Sequence, residues 1–217
     1  MKFNIITIFP EIISSYADES ILGRAQKNKL IKINAVNLRD FTKDKHKQID
    51  DTPYGGGAGM VMKPEPIYKA LKSLKALKGK KNKKTILLSP RGQQFDQRMA
   101  ENFTELDEIT FVCGRYEGVD QRVSDYMVDE EISIGPYVLA GGELGALIIT
   151  EAVARLIPKV LGNSESLKEE THGSKEAKME VEYPQYTKPE KFMKWKVPDI
   201  LLSGHHKKIE EWRKAHN

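Results

Sequence analysis

An α/β fold built on a parallel sheet, followed by a small helical C-terminal domain, is what this 217-residue sequence predicts. Two observations predict it. Over the first 160 residues, short runs rich in Ile, Val and Leu alternate with helical patterns, as buried parallel strands and their crossover helices do. The apolar signal then fades into Ser, Glu, Lys and Gly over residues 161–178, the composition of a linker, before a last helical pattern closes the chain.

The elements follow in order. Residues 3–9 read as a first strand; Pro10 and Glu11 come next, not a small-residue cleavage site, so the start is not a signal peptide. A helix is expected over 10–17 and a second strand over 31–36. Pro64 sits where a first helical turn tolerates proline and opens a helix over 64–77. Then come a strand over 85–89, a helix over 96–102 and a strand over 109–114. Asp120 is placed to cap a helix over 120–127. A strand over 131–134 and a helix over 142–156 complete a first domain, residues 1–160. Beyond the linker, a short tail domain over 179–217 ends in a helix near 205–214, with Ile209 and Trp212 on its apolar face. There are no internal repeats.

Composition sets bounds. Hydrophobic residues at 39% and charged residues at 30% suit a folded chain rather than a disordered one. No apolar run approaches the roughly 18 residues of a membrane span, so a cytoplasmic protein without a membrane partner is expected. A single cysteine, Cys113, excludes an internal disulfide and a multi-cysteine zinc site. The histidines (46, 172, 205, 206 and 216) have no metal-ligand spacing, and no metal site is expected. The net charge of +4 permits a nucleic-acid partner without requiring one. Seven lysines and no acid fall between Lys72 and Lys84; taken alone, they read as a solvated helix end and a surface loop.

Three glycine-bearing loops follow strands, where open α/β sheets place their ligands. They are Leu88-Ser89-Pro90-Arg91-Gly92, Cys113-Gly114-Arg115-Tyr116-Glu117-Gly118, and residues 133–143 with Ile134-Gly135-Pro136-Tyr137-Val138-Leu139 and Gly141-Gly142. Any one alone is a tight turn. Three in one domain favour a nucleotide-like cofactor, since glycine lets backbone groups approach a flat ligand closely. The sequence lacks a phosphate loop ending in Lys-Ser or Lys-Thr and a G-x-G-x-x-G fingerprint, which speaks against ATP hydrolysis and dinucleotide chemistry. Cys113 ends an apolar run and reads as an inert buried thiol.

The motifs Asp50-Asp51-Thr52-Pro53-Tyr54-Gly55-Gly56-Gly57-Ala58-Gly59-Met60, Gly114-Arg115-Tyr116-Glu117-Gly118-Val119-Asp120 and Ser133-Ile134-Gly135-Pro136-Tyr137-Val138-Leu139 resemble those of the bacterial tRNA (guanine-N1) methyltransferases, the TrmD family. Tyr183-Pro184-Gln185-Tyr186-Thr187-Lys188-Pro189 and Leu201-Leu202-Ser203-Gly204-His205-His206 extend the likeness in order to near the end. The resemblance implies a SPOUT-type parallel sheet with a deep trefoil knot, one of the rare threaded chains. It implies S-adenosyl-L-methionine (SAM) as methyl donor, held by Leu88, Ser89, Pro90, Gly114, Tyr116, Glu117, Ile134, Gly135, Pro136, Tyr137, Val138, Leu139, Gly141 and Gly142. It also implies a homodimer with active sites at the subunit interface. The helix over 142–156, with Leu144, Leu147, Ile148 and Val153, reads either as part of that interface or as intrachain core.

The reaction implied is methylation of N1 of the tRNA guanine just 3′ of the anticodon, with a guanine before it. That nitrogen carries a proton, so a carboxylate must accept it while a cation stabilises the charge passing to O6. The family's arginine corresponds to Arg155, and the position of its aspartate base in the linker is held by Glu170. Glutamate is one methylene longer, a displacement of about 1 Å, and misplacement on that scale costs roughly a hundredfold in rate. Three assignments stay open: Glu170 as base, Glu169 after a register slip, or lowered activity leaning on another acid such as Glu117. By themselves Glu169 and Glu170 read as two solvated acids. RNA contacts implied are Arg24, Asp51, the loop from Gly55 to Gly59, Lys188, His206 and Arg213. Mg2+ is neither required nor excluded. Family members usually continue past the last helix with a further basic segment, whereas this sequence stops at Asn217. The competing readings are a related knotted RNA methyltransferase with another target and a non-catalytic tRNA-binding relative.

Overall fold

The computed structural model describes residues 1–162 and 183–216. The chain divides into two compact units, Met1–Gly162 and Asn163–Asn217. From residue 163 onward the expected linker lies outside the described residues.

In the first unit the elements are β1 (Lys2–Thr7), α1 (Pro10–Ala17), α2 (Ser20–Lys27), β2 (Lys32–Asn37), a 3-10 turn (Leu38–Phe41), the two-residue strands β3 (Asp50–Asp51) and β4 (Val61–Met62), and α3 (Pro64–Ser73). They continue with β5 (Lys83–Gln94), α4 (Gln97–Phe103), β6 (Glu108–Cys113), α5 (Gln121–Tyr126), β7 (Glu130–Ser133) and α6 (Glu143–Leu156). Five strands form one sheet in the order β2-β1-β6-β5-β7, all parallel.

Alternation along the strands feeds two cores, one on each face of the sheet. Phe3, Ile5, Ile109 and Phe111 face the core completed by α1, α2, α4 and α6. Ile6 and Val112 face the one completed by α3 and α5. Each fully buried Ile or Phe side chain contributes about 1.5–3 kcal/mol over an exposed one. All six residues of the central strand β6 are buried. Its polar members are satisfied: Asn4 Nδ2 donates to Glu108 Oε1 at 2.8 Å and to Thr110 Oγ1 at 3.2 Å. Lys2 and Lys83 neutralise Glu108 from the strand ends.

Caps set several helix starts. The Asp96 carboxylate accepts from the Met99 amide at 2.8 Å, and that of Asp120 from the Arg122 amide at 3.0 Å. Helix α3 is shorter than the pattern predicts, because the chain turns through a left-handed Lys75 (φ 55°) just past Leu74. Helix α2 and the β3–β4 pair have no counterpart among the elements the sequence predicts.

Strand β5 is the feature that shapes the site. Leu88 and Gln93 are both registered against Ile132 of β7, so residues 89–92 arch out of the ladder between them. The arch closes at Gly92, where a Cβ would lie 2.4 Å from the Ile132 nitrogen. Only glycine fits there.

In the second unit, β8 (Lys191–Phe192) and β9 (Trp195–Lys196) form an antiparallel hairpin, followed by α7 (Asp199–Leu202) and α8 (His206–Ala215). Trp212 stacks on His216 at 4.1 Å and meets the Tyr186 ring edge-on at 6.4 Å. Among the described residues, no helix is long and apolar enough to cross a membrane.

Candidate active site

The chain steps from β5 inward to β6, then back over β5 to β7. Its direction thus reverses at β6, and the β5 arch and the loops leaving β6 and β7 converge at this end of the sheet, where such sheets bind ligands. Between the loops lies a cavity of about 420 Å3.

The structure brings most of the residues expected around a cofactor to this cavity. Leu88, Ser89 and Pro90 enter from the β5 arch, and Gly114 and Glu117 from the loop after β6. Ile134, Tyr137, Val138, Leu139, Gly141 and Gly142 enter from the loop between β7 and α6. Tyr116, Gly135 and Pro136 are not in the lining. Tyr116 sits in a left-handed turn (φ 60°) with its ring half exposed. Gly135 is covered by the Tyr137 ring, whose hydroxyl donates to the Ile134 carbonyl at 3.1 Å. Pro136 is exposed.

Sequence reasoning missed other lining residues. Gly145 belongs to α6, one turn past Gly141 and Gly142, and that spacing on a helix was a usable signal. Val61 and Val119 reach the lining where Met62 of β4 bridges Val119 in the loop after β6, which no local pattern reveals. Arg91, Gln121 and Ser124 make the polar end: Arg91 Nη2 donates to Gln121 Oε1 at 3.1 Å, and the Ser124 hydroxyl donates to the Glu131 carboxylate. Most of the rest is apolar surface and glycine backbone, with Ser89, Glu117, Ser133 and Tyr137 as further polar groups, which suits a flat heterocycle carrying a polar tail.

Cys113 lies behind this lining. Burial first, and the nearby Glu143 carboxylate second, push its thiol well above the ordinary range, so it is held protonated.

Arg155 occupies the last turn of α6, half-buried and outside the cavity lining. Glu169 and Glu170 lie outside the described residues. Of the expected RNA contacts, Arg24 is exposed on α2. Asp51 pairs with Lys63 at 3.2 Å. The amide of Thr52 and the Lys63 ammonium hold its carboxyl below the ordinary value. Gly55 and Gly59 both have left-handed φ, 86° and 80°. A Cβ on Gly59 would lie 2.5 Å from Glu117 Cγ, so this loop rests on the cavity rim. Lys188, His206 and Arg213 line one concavity of the second unit. The Arg213 guanidinium lies 4.6 Å from the centre of the Tyr183 ring.

Fold and cavity together define an open α/β protein with a cavity at the carboxyl ends of its strands, over a reversal in strand order. The chain matches the family model described as tRNA (Guanine-1)-methyltransferase TrmD over residues 1–217. Similar proteins carry the name tRNA (guanine-N(1)-)-methyltransferase. One from Carboxydothermus hydrogenoformans is 50% identical over 99% of this chain and 81% of its own length. One from Clostridioides difficile is 49% identical over 99% and 91%, and one from Dictyoglomus turgidum 52% over 99% and 84%. The protein belongs to the TrmD family of methyltransferases.

Proposed function

We propose that the protein transfers the methyl group of SAM to N1 of the tRNA guanine just 3′ of the anticodon, where a guanine precedes it. The observation that carries this reading is the convergence of the three motif loops on one cavity in a chain matched by the TrmD model from end to end. The fit to the cofactor is supported by size, since about 420 Å3 falls within the roughly 300–1,000 Å3 of cofactor sites. It is also supported by chemistry, with apolar walls at Leu88, Ile134 and Leu139, glycine backbone at 114, 141 and 142, and polar groups at one end. When bound, SAM supplies the electrophilic methyl group.

In this reading Glu170 takes the N1 proton and Arg155 stabilises negative charge at O6. Gly145 lines the cavity and Arg155 does not, which supports a reading in which Arg155 acts on the cavity of a second copy. Leu144 and Ile148, exposed on the face of α6 that carries Arg155, together with Phe9 and Tyr16 near α1, supply an apolar surface for such a homodimer. We further read the return of the chain over β5 as the path of a trefoil knot. The second unit grips the anticodon stem through Lys188, His206 and Arg213, in a cytoplasmic setting where SAM and tRNA meet. Mg2+ is compatible with Glu117 at the rim.

The test is to incubate the protein with SAM and a tRNA transcript carrying guanine at both positions, and to map the product by mass spectrometry. N1-methylguanine at the expected site is the predicted product, and replacing the target guanine should abolish it. A ribose 2′-O-methyl product would overturn the assignment.

A further inference from the structure

Two residues flanking the cavity lining, neither of them part of it, anchor a polar cluster in the first unit. Glu143, the first residue of α6, is 1% exposed. Arg115 Nε and Nη2 each lie 3.0 Å from Glu143 Oε2. The Thr7 hydroxyl donates to Glu143 Oε1 at 2.7 Å, and the Phe9 amide donates to the Thr7 hydroxyl at 2.9 Å. Phe9 closes the circuit, its ring centre 4.8 Å from the Arg115 guanidinium carbon. The end of β1, the loop after β6 and the start of α6 are thereby tied together.

The circuit bears on the cavity through glycine. Arg115 and Gly141 form a backbone bridge, and the Gly142 amide donates to the Gly114 carbonyl at 3.0 Å. A Cβ on Gly141 would lie 2.2 Å from Arg115 Nε, so the arginine side chain lies directly against the wall residue. Gly114, Gly141 and Gly142 all line the cavity. A buried ion pair is often no more stabilising than an apolar pair of the same volume, so stability alone does not account for this one. What it adds is a directional side-chain clamp across the two backbone segments that the bridge and the Gly142–Gly114 hydrogen bond already join.

Resting on the cofactor reading above, we infer that the Arg115–Glu143 pair is a positioning pair for the methyl donor: it clamps the Gly114 segment against the Gly141–Gly142 segment, so that the joined backbone keeps the shape of the cavity wall. Its removal lets the two joined segments part and the wall lose its shape, and the cofactor's hold fails while the sheet stays intact. The effect falls on cofactor affinity and on the KM for SAM, not on the KM for tRNA.

The probe is S-adenosylhomocysteine, titrated calorimetrically into the full chain, with thermal melting as the fold control. Glu143→Gln removes the charge at nearly constant shape, and Arg115→Lys keeps the charge but loses the planar fork. Each should weaken binding tenfold or more and raise the KM for SAM in step, leaving the KM for tRNA within twofold. Replacing both residues by leucine removes the pair without stranding a buried charge. This double variant should melt within a few degrees of the unaltered protein yet bind as poorly as the single ones. Binding within twofold of the unaltered protein in the double variant would overturn the proposal alone. If the double variant does not fold, the same result for Arg115→Lys decides against it. Failure of the unaltered protein to bind the probe would overturn the cofactor reading, and this inference with it.

Discussion

Gly145 and Arg155 lie on the same helix, ten residues apart, which is about 15 Å of helix rise. Gly145 packs against Leu88 in the cavity wall, whereas Arg155 is at the helix's other end. One chain therefore presents its candidate cofactor cavity and its candidate catalytic cation at opposite ends of a rigid rod.

A complementation experiment follows. Arg155→Ala should lower kcat by about 10²–10³-fold, as removal of a charge-stabilising group does. Gly145→Leu should fill the cavity and abolish cofactor binding. Mixing the two inactive proteins under subunit exchange should restore part of the activity, since one site of each mixed dimer has an intact cavity and an intact arginine. Methylation by the mixture is the readout; no recovery would place Arg155 in its own chain's site.

The proposed base is tested by Glu170→Gln and Glu170→Asp in single-turnover assays. Gln should lower the rate by about 10²–10⁴-fold, the usual contribution of a positioned base. Asp should retain most activity or exceed it. Equal rates for all three forms would remove Glu170 from the mechanism.

Asp120 makes a pH prediction for stability. Its carboxyl is held below the ordinary 3.8, first by the hydrogen bond from the Arg122 side chain. A depressed folded-state pKa contributes stability that is complete above 3.8 and is lost as pH falls through the lower folded value. Asp120→Asn keeps a capping oxygen but loses the charge paired with Arg122, and should cost about 0.5 kcal/mol at neutral pH, the scale of a partly exposed ion pair. The two melting temperatures should converge as pH falls through the depressed folded-state value.

RNA binding should show its cations through salt. Replacing Lys188 and Arg213 together by alanine should weaken tRNA binding at low salt. The slope of log K against log salt should become shallower by about 1 for each phosphate no longer neutralised. An unchanged slope would mean that neither meets a phosphate.

Much of the fold could be read from the sequence because burial imposes period and composition on single segments. The run from Phe3 to Thr7 alternates between two cores, and the six buried residues of β6 read as a central strand. What stayed hidden depends on contacts between distant segments. Helix α2 carries Gly23 in its middle, a local signal against a helix; a Cβ there would lie 2.2 Å from the Asp18 carbonyl oxygen, so the glycine serves a tight crossing instead. The sequence marked residues 88–92 as a glycine loop, but not that β5 resumes beyond it to pair again with β7. Most of the candidate cofactor residues were legible as motifs. Arg115 and Glu143 were visible only as motif letters, and their pairing needed the third dimension.

Ile132 faces β5 on both sides of the arch at residues 89–92. The arch is thus a measured detour between two fixed stretches of ladder, unlike an ordinary surface loop that tolerates changes in length. Adding or deleting one residue would turn Gln93 and Gln94 over, exchanging inward for outward side chains along the sheet's margin. Substitution can vary what the detour displays, but its length is locked to the strand that carries it, so diversification here is confined to side-chain identity.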